Sequence, residues 1–353
     1  MRNTKSARDY SRIREKSKSR DRLTGRKVLT INGSPLAVEV HLIDRLQIPS
    51  TNEWKGRMKS LNYKYADVED LKVFYREAGN PGNPAMVLLH GFPSSSHMYR
   101  NLMESLADKF WLIAPDYPGF GNSDAPTPDR FSYTFDRLSE VVEKLLVSLG
   151  VKKFTLFIQD YGAPVGFRLA LRHPDWIQGI VCQNGNAYEE GFTRAWDGLR
   201  TELWKNRTPV TEAALAGFFT PDGVKWMYCE GTRNPERISP DNWNIDLFFL
   251  GRPENHRIQL DLLYDYRNNV DQYPRWHQYL RKHQPPVLLT WGANDPFFTP
   301  EGGRAFQRDL EHAELHMLDT GHFALEDHCD EIAGLIRSFF DQKIATRKSS
   351  VTG

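Results

Sequence analysis

Four short runs in this chain are almost wholly apolar: Ala85–Leu89 (AMVLL), Phe110–Ala114 (FWLIA), Phe154–Ile158 (FTLFI) and Val287–Trp291 (VLLTW). A strand with one wet face alternates apolar and polar residues, whereas these do not alternate. Such runs suit strands covered on both faces. Between them lie segments with helical spacing: Ser96–Leu106, Tyr133–Leu149, 162–173, Gly302–Leu310 and Cys329–Phe340. Further strands are expected at Tyr63–Val68, Leu71–Arg76, Gly179–Gln183 and Glu314–Leu318. Strands alternating with helices predict an α/β fold with a mostly parallel central sheet and helices on both faces. Ligands bind such sheets beyond the carboxyl ends of the strands, so the residues just after strands are the ones to examine.

One interval breaks the alternation. Between Asn184 and Val287 lie 102 residues, too many for a structureless loop. They are rich in Trp, Tyr and Phe, and are expected to form a helical cap over the strand ends. Most of these aromatics would be the cap's own core. The rest would make the pocket apolar and poor in water. The expected organisation is an N-terminal extension at 1–60, a core at 61–185 and 277–345, an inserted helical cap at 186–276, and a tail at 346–353.

Charge bears on what the chain binds. The 353 residues carry a formal net charge of +1. Residues 1–27 hold eleven Lys/Arg and three Asp/Glu, so this tail is +8 and the remainder −7. The tail has few large apolar residues and reads as a solvated extension, so no nucleic-acid partner is expected. No run of about 18 apolar residues exists, and no membrane association is expected. No apolar signal core is visible at the N-terminus, and Asp9, Glu15 and Asp21 argue against organelle import. Cys182, Cys229 and Cys329 are odd in number and form no CxxC pair. They read as small buried hydrophobes in a reducing, cytoplasmic setting.

Three residues follow strands in an informative order. Asp160 follows Phe154–Ile158, Asp295 follows Val287–Trp291, and His322 follows Glu314–Leu318. Nucleophile, acid and histidine occur in this order in the α/β-hydrolase fold. With HGFP at 90–93, DYPGFGNSD at 116–124, QDYG at 159–162, NDPFF at 294–298 and TGHF at 320–323, residues 62 to 342 resemble that family. The resemblance is to its aspartate-nucleophile branch, the epoxide hydrolases and haloalkane dehalogenases. One departure is Ile158, which stands where the turn motif carries a small residue. A helix N-cap is the structural alternative for Asp160.

A carboxylate at this turn suits displacement at a saturated carbon bearing a leaving group, because the product is an alkyl ester that water can cleave. The resemblance assigns His322 to activate that water and Asp295 to orient the imidazole. It places the oxyanion donors at the backbone N–H groups of Phe92 and Tyr161. His90 is scaffold, Asp319 braces its turn, and Asn184, an amide, cannot replace Asp295. The Pro118–Gly121 turn lacks the third glycine of a dinucleotide site. His312 and His316 have helical ligand spacing, but His316 falls on a strand. No metal or other cofactor is expected.

The leaving group divides the branch. Dehalogenases of this family commonly carry Trp after the nucleophile, where this chain has Tyr161. HGFP looks more like epoxide hydrolases, though fluoroacetate dehalogenases share it, and QDYG resembles the QDWG of some dehalogenases. Leu263–Asn268 resembles the epoxide-hydrolase segment that holds a proton-donating tyrosine, which points to Tyr266. Its structural alternative is packing of cap on core. A second tyrosine is not identified; Tyr188 is conceivable. The expected partners are a small apolar electrophile and water. The preferred reading is an epoxide hydrolase. A haloalkane dehalogenase and a catalytically weak ligand-binding protein of this fold remain open.

Overall fold

The computed structural model describes residues 61–346 and one short antiparallel strand pair, β1 (Leu29–Ile31) and β2 (Ser34–Leu36). That pair belongs to an N-terminal unit, Met1–Arg57, and the following account concerns the second unit, Met58–Gly353. The rest of the expected extension at 1–60 and the tail from 347 lie outside the described residues.

Eight strands of this unit form one sheet: β3 (Asn62–Val68), β4 (Leu71–Ala78), β5 (Ala85–Leu89), β6 (Trp111–Pro115), β7 (Phe154–Gln159), β8 (Ile177–Gln183), β9 (Val287–Gly292) and β10 (Glu314–Leu318). Their order is β10-β9-β8-β7-β5-β6-β4-β3. The β6-β5-β7-β8-β9-β10 run is parallel, while β4 pairs antiparallel with both β6 and β3. Position in the sheet explains composition. Every residue of β5, β7 and β9 is buried, because helices cover both faces. β3 is an edge strand and exposes Tyr63 and Tyr65.

The covering helices follow their apolar stripes. α1 (Arg100–Leu106) follows a tight turn at Ser96–Tyr99, so the single helical run expected over 96–106 is broken at its start. α2 (Phe135–Ser148) buries Leu138, Val141, Val142, Leu145 and Leu146 at three- and four-residue spacing, one face of a helix. The Thr134 hydroxyl caps its first turn by accepting from Arg137 N–H. α3 (Gly162–Arg172) lies against β5 and β7, with nine of its residues buried.

Between β8 and β9 are turns and the helices α4 (Pro209–Ala213), α5 (Pro221–Cys229), α6 (Pro240–Leu250), α7 (Asn255–Asp265) and α8 (Arg267–His283). The aromatics here divide as their surroundings dictate. Trp196, Tyr228, Tyr266, Tyr273 and Trp276 are buried, whereas Trp226 and Phe248 are exposed. α8 stacks Trp276 on Phe167 of α3, their centroids 5.0 Å apart. α9 (Pro300–Ala305) starts two residues before the expected Gly302, because Thr299 caps it and Pro300 opens it. α10 (Cys329–Phe339) closes the fold. The three cysteines are free. Only Cys182 is fully buried, and Cys229 and Cys329 are partly exposed, a correction to the expectation for those two. No helix among the described residues is long and apolar enough to cross a membrane.

Candidate active site

Asp160 sits between β7 and α3 with φ of +47°. That conformation is strained for a residue with a Cβ and persists only where its surroundings enforce it. Three glycines supply the room. A Cβ at Gly91 would strike the Asp160 side chain, and one at Gly162 would strike the Leu89 carbonyl. A Cβ at Gly166 would lie 2.6 Å from the Ile158 side chain. Gly166 therefore makes the space that lets Ile158 occupy a position where the motif prefers a small residue.

The carboxylate of Asp160 does not cap α3. Tyr161 is the capping residue and makes no side-chain cap. Asp160 Oδ1 instead accepts the backbone N–H of Phe92 at 2.8 Å. Burial raises the Asp160 carboxyl above its ordinary range; His322 and the N–H groups of Phe92 and Tyr161 pull the other way. Both expected oxyanion donors thus already favour charge on this carboxylate.

His322 Nδ1 bonds Asp295 Oδ2 at 2.8 Å, and its Nε2 stands 3.9 Å from Asp160 Oδ2. Burial acts to lower the imidazole's pKa, but Asp295 and Asp160 outweigh it, and the net shift is upward. Asp295 is held by further donors. Its Oδ1 accepts Phe297 N–H at 2.7 Å, and its Oδ2 accepts the Asn184 side-chain amide at 2.7 Å. Asn184 also accepts Gly292 N–H at 2.8 Å. The residue excluded as an acid thus serves as a clamp on Asp295.

Gln159 was missed by sequence reasoning. Its Nε2 lies 2.8 Å from His322 Nε2, while its Oε1 is buried without a partner. A donating amide here requires that Nε2 accept, which puts the histidine proton on Nδ1, toward Asp295. The only sequence signal is its place one residue before Asp160.

The remaining assignments separate clearly. His90 is buried, accepts Tyr117 N–H at Nε2 (3.3 Å), and is lowered to about 3 by burial, so it is neutral scaffold. Asp319 braces its turn through Asn294 and Arg233. Tyr188 is taken out of consideration, because its hydroxyl donates to Asp309 at 2.7 Å.

A cavity meets Asp160 and His322, walled by Phe92, Tyr161, Trp196, Phe218, Met227 and Phe297 among others. About 30 Å³ of it is open to water-sized molecules, room for one or two waters. The Trp196 indole N–H donates to the Phe297 carbonyl at 3.1 Å. Tyr266 is not on the cavity surface. It is fully buried behind the wall, its ring 4.5 Å from that of Trp196 and 6.0 Å from that of Tyr161. The Tyr161 hydroxyl is buried without a hydrogen-bond partner, whereas the buried Tyr266 hydroxyl has that of Tyr273 beside it. Both are pushed well above the ordinary tyrosine range, by burial first; the Asp160 charge adds to it in each case.

A family model described as alpha/beta hydrolase fold matches residues 84–328. The chain belongs to that family. It is an α/β-fold hydrolase. A hydrolase of Saccharomyces cerevisiae, itself uncharacterised, is 45% identical over 275 residues, covering 77% of this chain and 94% of that one. A haloalkane dehalogenase of Psychrobacter cryohalolentis is 28% identical over 296 residues, covering 77% and 89%. Among solved structures, the epoxide hydrolase CorEH superposes with a TM-score of 0.66 at 19% identity, covering 80% of this chain and 99% of that one, a likeness of fold.

Proposed function

We propose that this hydrolase opens epoxides to diols through a covalent ester on Asp160. The observation that carries the reading is a carboxylate, rather than a hydroxyl, at the strained turn, with the His322–Asp295 pair 3.9 Å away. In the first step Asp160 attacks an epoxide carbon. A carbon–oxygen ester bond forms, the ring carbon–oxygen bond breaks, and the leaving alkoxide takes a proton from a tyrosine. In the second step His322 removes a proton from water as the water attacks the ester carbonyl. The Phe92 and Tyr161 N–H groups hold the resulting oxyanion. Its collapse breaks the ester carbon–oxygen bond, the departing alkoxide takes the proton of the newly added hydroxyl, the diol leaves as the carboxylate returns, and the imidazolium proton restores the tyrosine.

Epoxide is favoured over halide by what the wall offers. A departing halide needs free N–H donors, yet the Trp196 indole is committed to Phe297 and His322 to Asp295 and Gln159. A departing alkoxide needs a proton; Tyr161 lines the cavity with an unpaired hydroxyl, and Tyr266 packs behind it, its ring 6.0 Å from that of Tyr161. They supply the donor pair, with Tyr161 in the place that the sequence left unfilled. The segment 186–276 acts as the cap that keeps this step dry.

Trapping the ester tests the reading. His322→Gln is incubated with a mixed set of epoxides and haloalkanes, and its intact and peptide masses are measured. A hydroxyalkyl adduct on Asp160 is the expected result. A plain alkyl adduct with released halide assigns dehalogenation instead, and no adduct from either class removes Asp160 as nucleophile.

A further inference from the structure

Buried polar atoms without partners are rare in folded proteins and call for an explanation. Among the described residues they are scattered, and some of them adjoin cavities. Beside Asp160 are the Gln159 and Tyr161 atoms already named. Elsewhere, His97 Nε2 and both amide atoms of Asn242 are unpartnered, and the two residues line one cavity. His97 belongs to the turn that leads into α1, and Asn242 to α6.

Between the turn and the helix lies a cavity of about 460 Å³, within the range of small-molecule sites. Its lining includes His97, Arg100, Asn242, Ile245, Phe248 and Phe249. Asn242 is 1% exposed, so its amide is a built feature of the junction and not a surface accident. Leaving both its donor and its acceptor unpaired is costly unless something occupies the site.

The chemistry of the lining narrows the occupant. An anion would need an unpaired cation, but the Arg100 guanidinium is held bidentately by Glu326, at 3.1 and 2.8 Å. A cation would sit beside that same guanidinium. A neutral group that both donates and accepts matches Asn242 and His97. The rings of Phe248 and Phe249 flank it with apolar surface, Phe248 being 72% exposed. We propose that this cavity is a second binding site, for a small neutral molecule bearing hydroxyl groups and a short apolar body. The site stands independently of the reading of Asp160.

The probe is 1,2-hexanediol, titrated into the full chain. The Asn242 side-chain amide and the His97 ring are followed by NMR, and a crystal soak places the diol. Expected are saturable shifts at both residues, diol hydroxyls on Asn242 and His97, and no response to inorganic phosphate. Asn242→Leu weakens binding about tenfold, the loss of one to two hydrogen bonds. Phe248→Ser, at an exposed position, weakens it about threefold by removing apolar contact, and it serves if the first variant fails to fold. Asp160→Asn leaves the affinity unchanged, which separates this site from the catalytic one. Shifts confined to the Asp160 cavity overturn the proposal. So does unchanged affinity in both Asn242→Leu and Phe248→Ser, or a soak in which water alone occupies the junction.

Discussion

The two sides of the Asp160 cavity are built on different principles. On the sheet side, the carboxylates are tied down. Asp295 receives three hydrogen bonds, from His322, Asn184 and Phe297, and Asp160 Oδ1 receives Phe92 N–H. Gln159 Oε1 is an exception. On the side of the helical segment the wall is rings. Hydrogen bonds in a low dielectric hold their members rigidly, and on the proposed reading rigid placement is what Asp160 and His322 require. Rings place no such demand on geometry. On that reading, bond-making falls to the sheet side, and leaving-group choice to the helical side and to Tyr161.

The most severe way to break this comparison is Asp160→Asn. The amide still fits the turn but is a poor nucleophile, so turnover falls by about ten-thousand-fold or more. Steady-state rates with a responsive epoxide measure this, and intact mass shows no ester. Residual turnover above about one part in a hundred would move the nucleophile elsewhere.

Tyr266→Phe sharpens the comparison from the other side. It removes one proton donor and leaves the sheet network intact. Ester formation slows by about ten- to a hundredfold, within the range of general acid catalysis shared between two donors, while ester hydrolysis is unchanged. Single-turnover kinetics separates the two steps. Stability changes by no more than roughly 1 kcal/mol, because the hydroxyl removed is buried with only Tyr273 beside it. Equal slowing of both steps would show that Tyr266 acts through packing.

Asp246→Asn is the mildest and compares the two cavities. Asp246 accepts from Tyr228 at 2.6 Å and neighbours Ser94, Glu326 and Arg100. Burial raises its carboxyl to about 7, with Glu326 adding to the rise and Tyr228, Ser94 and Arg100 opposing it. The sign follows from linkage. The folded state favours the neutral acid, so the contribution is full below the unfolded value near 3.8 and is lost as pH rises toward 7. Denaturant melts should show wild type losing roughly 3 kcal/mol relative to Asp246→Asn between pH 4 and 8, with turnover little affected. A constant difference across that range would show that Asp246 stays in one protonation state.

Much of the sheet was legible because its determinants are local. AMVLL and VLLTW can be buried on both faces or nowhere, and β5 and β9 begin where those runs begin. Asp160, Asp295 and His322 were singled out because each lies within four residues after the end of a strand, and parallel strands end on one side of the sheet. Their convergence needed only the topology. What escaped is what depends on pairs distant in sequence. Asn184 reaches Asp295 across 111 positions, and Gln159 reaches His322 across 163. Neither amide has a spacing that announces its partner. Ile158 looked like a departure from the motif because the compensating glycine, Gly166, lies on the next helix.

The sequence by itself determined the α/β layering and the carboxylate at the turn, from which the proposed class of electrophile is argued. Those follow from periodicity and from bond chemistry, which act at short range. The tertiary structure decided which hydrogen bonds each side chain keeps. It set Tyr188 on Asp309, left the Tyr161 hydroxyl open beside Asp160, put Tyr266 behind the cavity wall, and opened the Asn242 junction. A hydrogen bond depends on tenths of an ångström and on direction, and only packing of the whole chain fixes positions that finely.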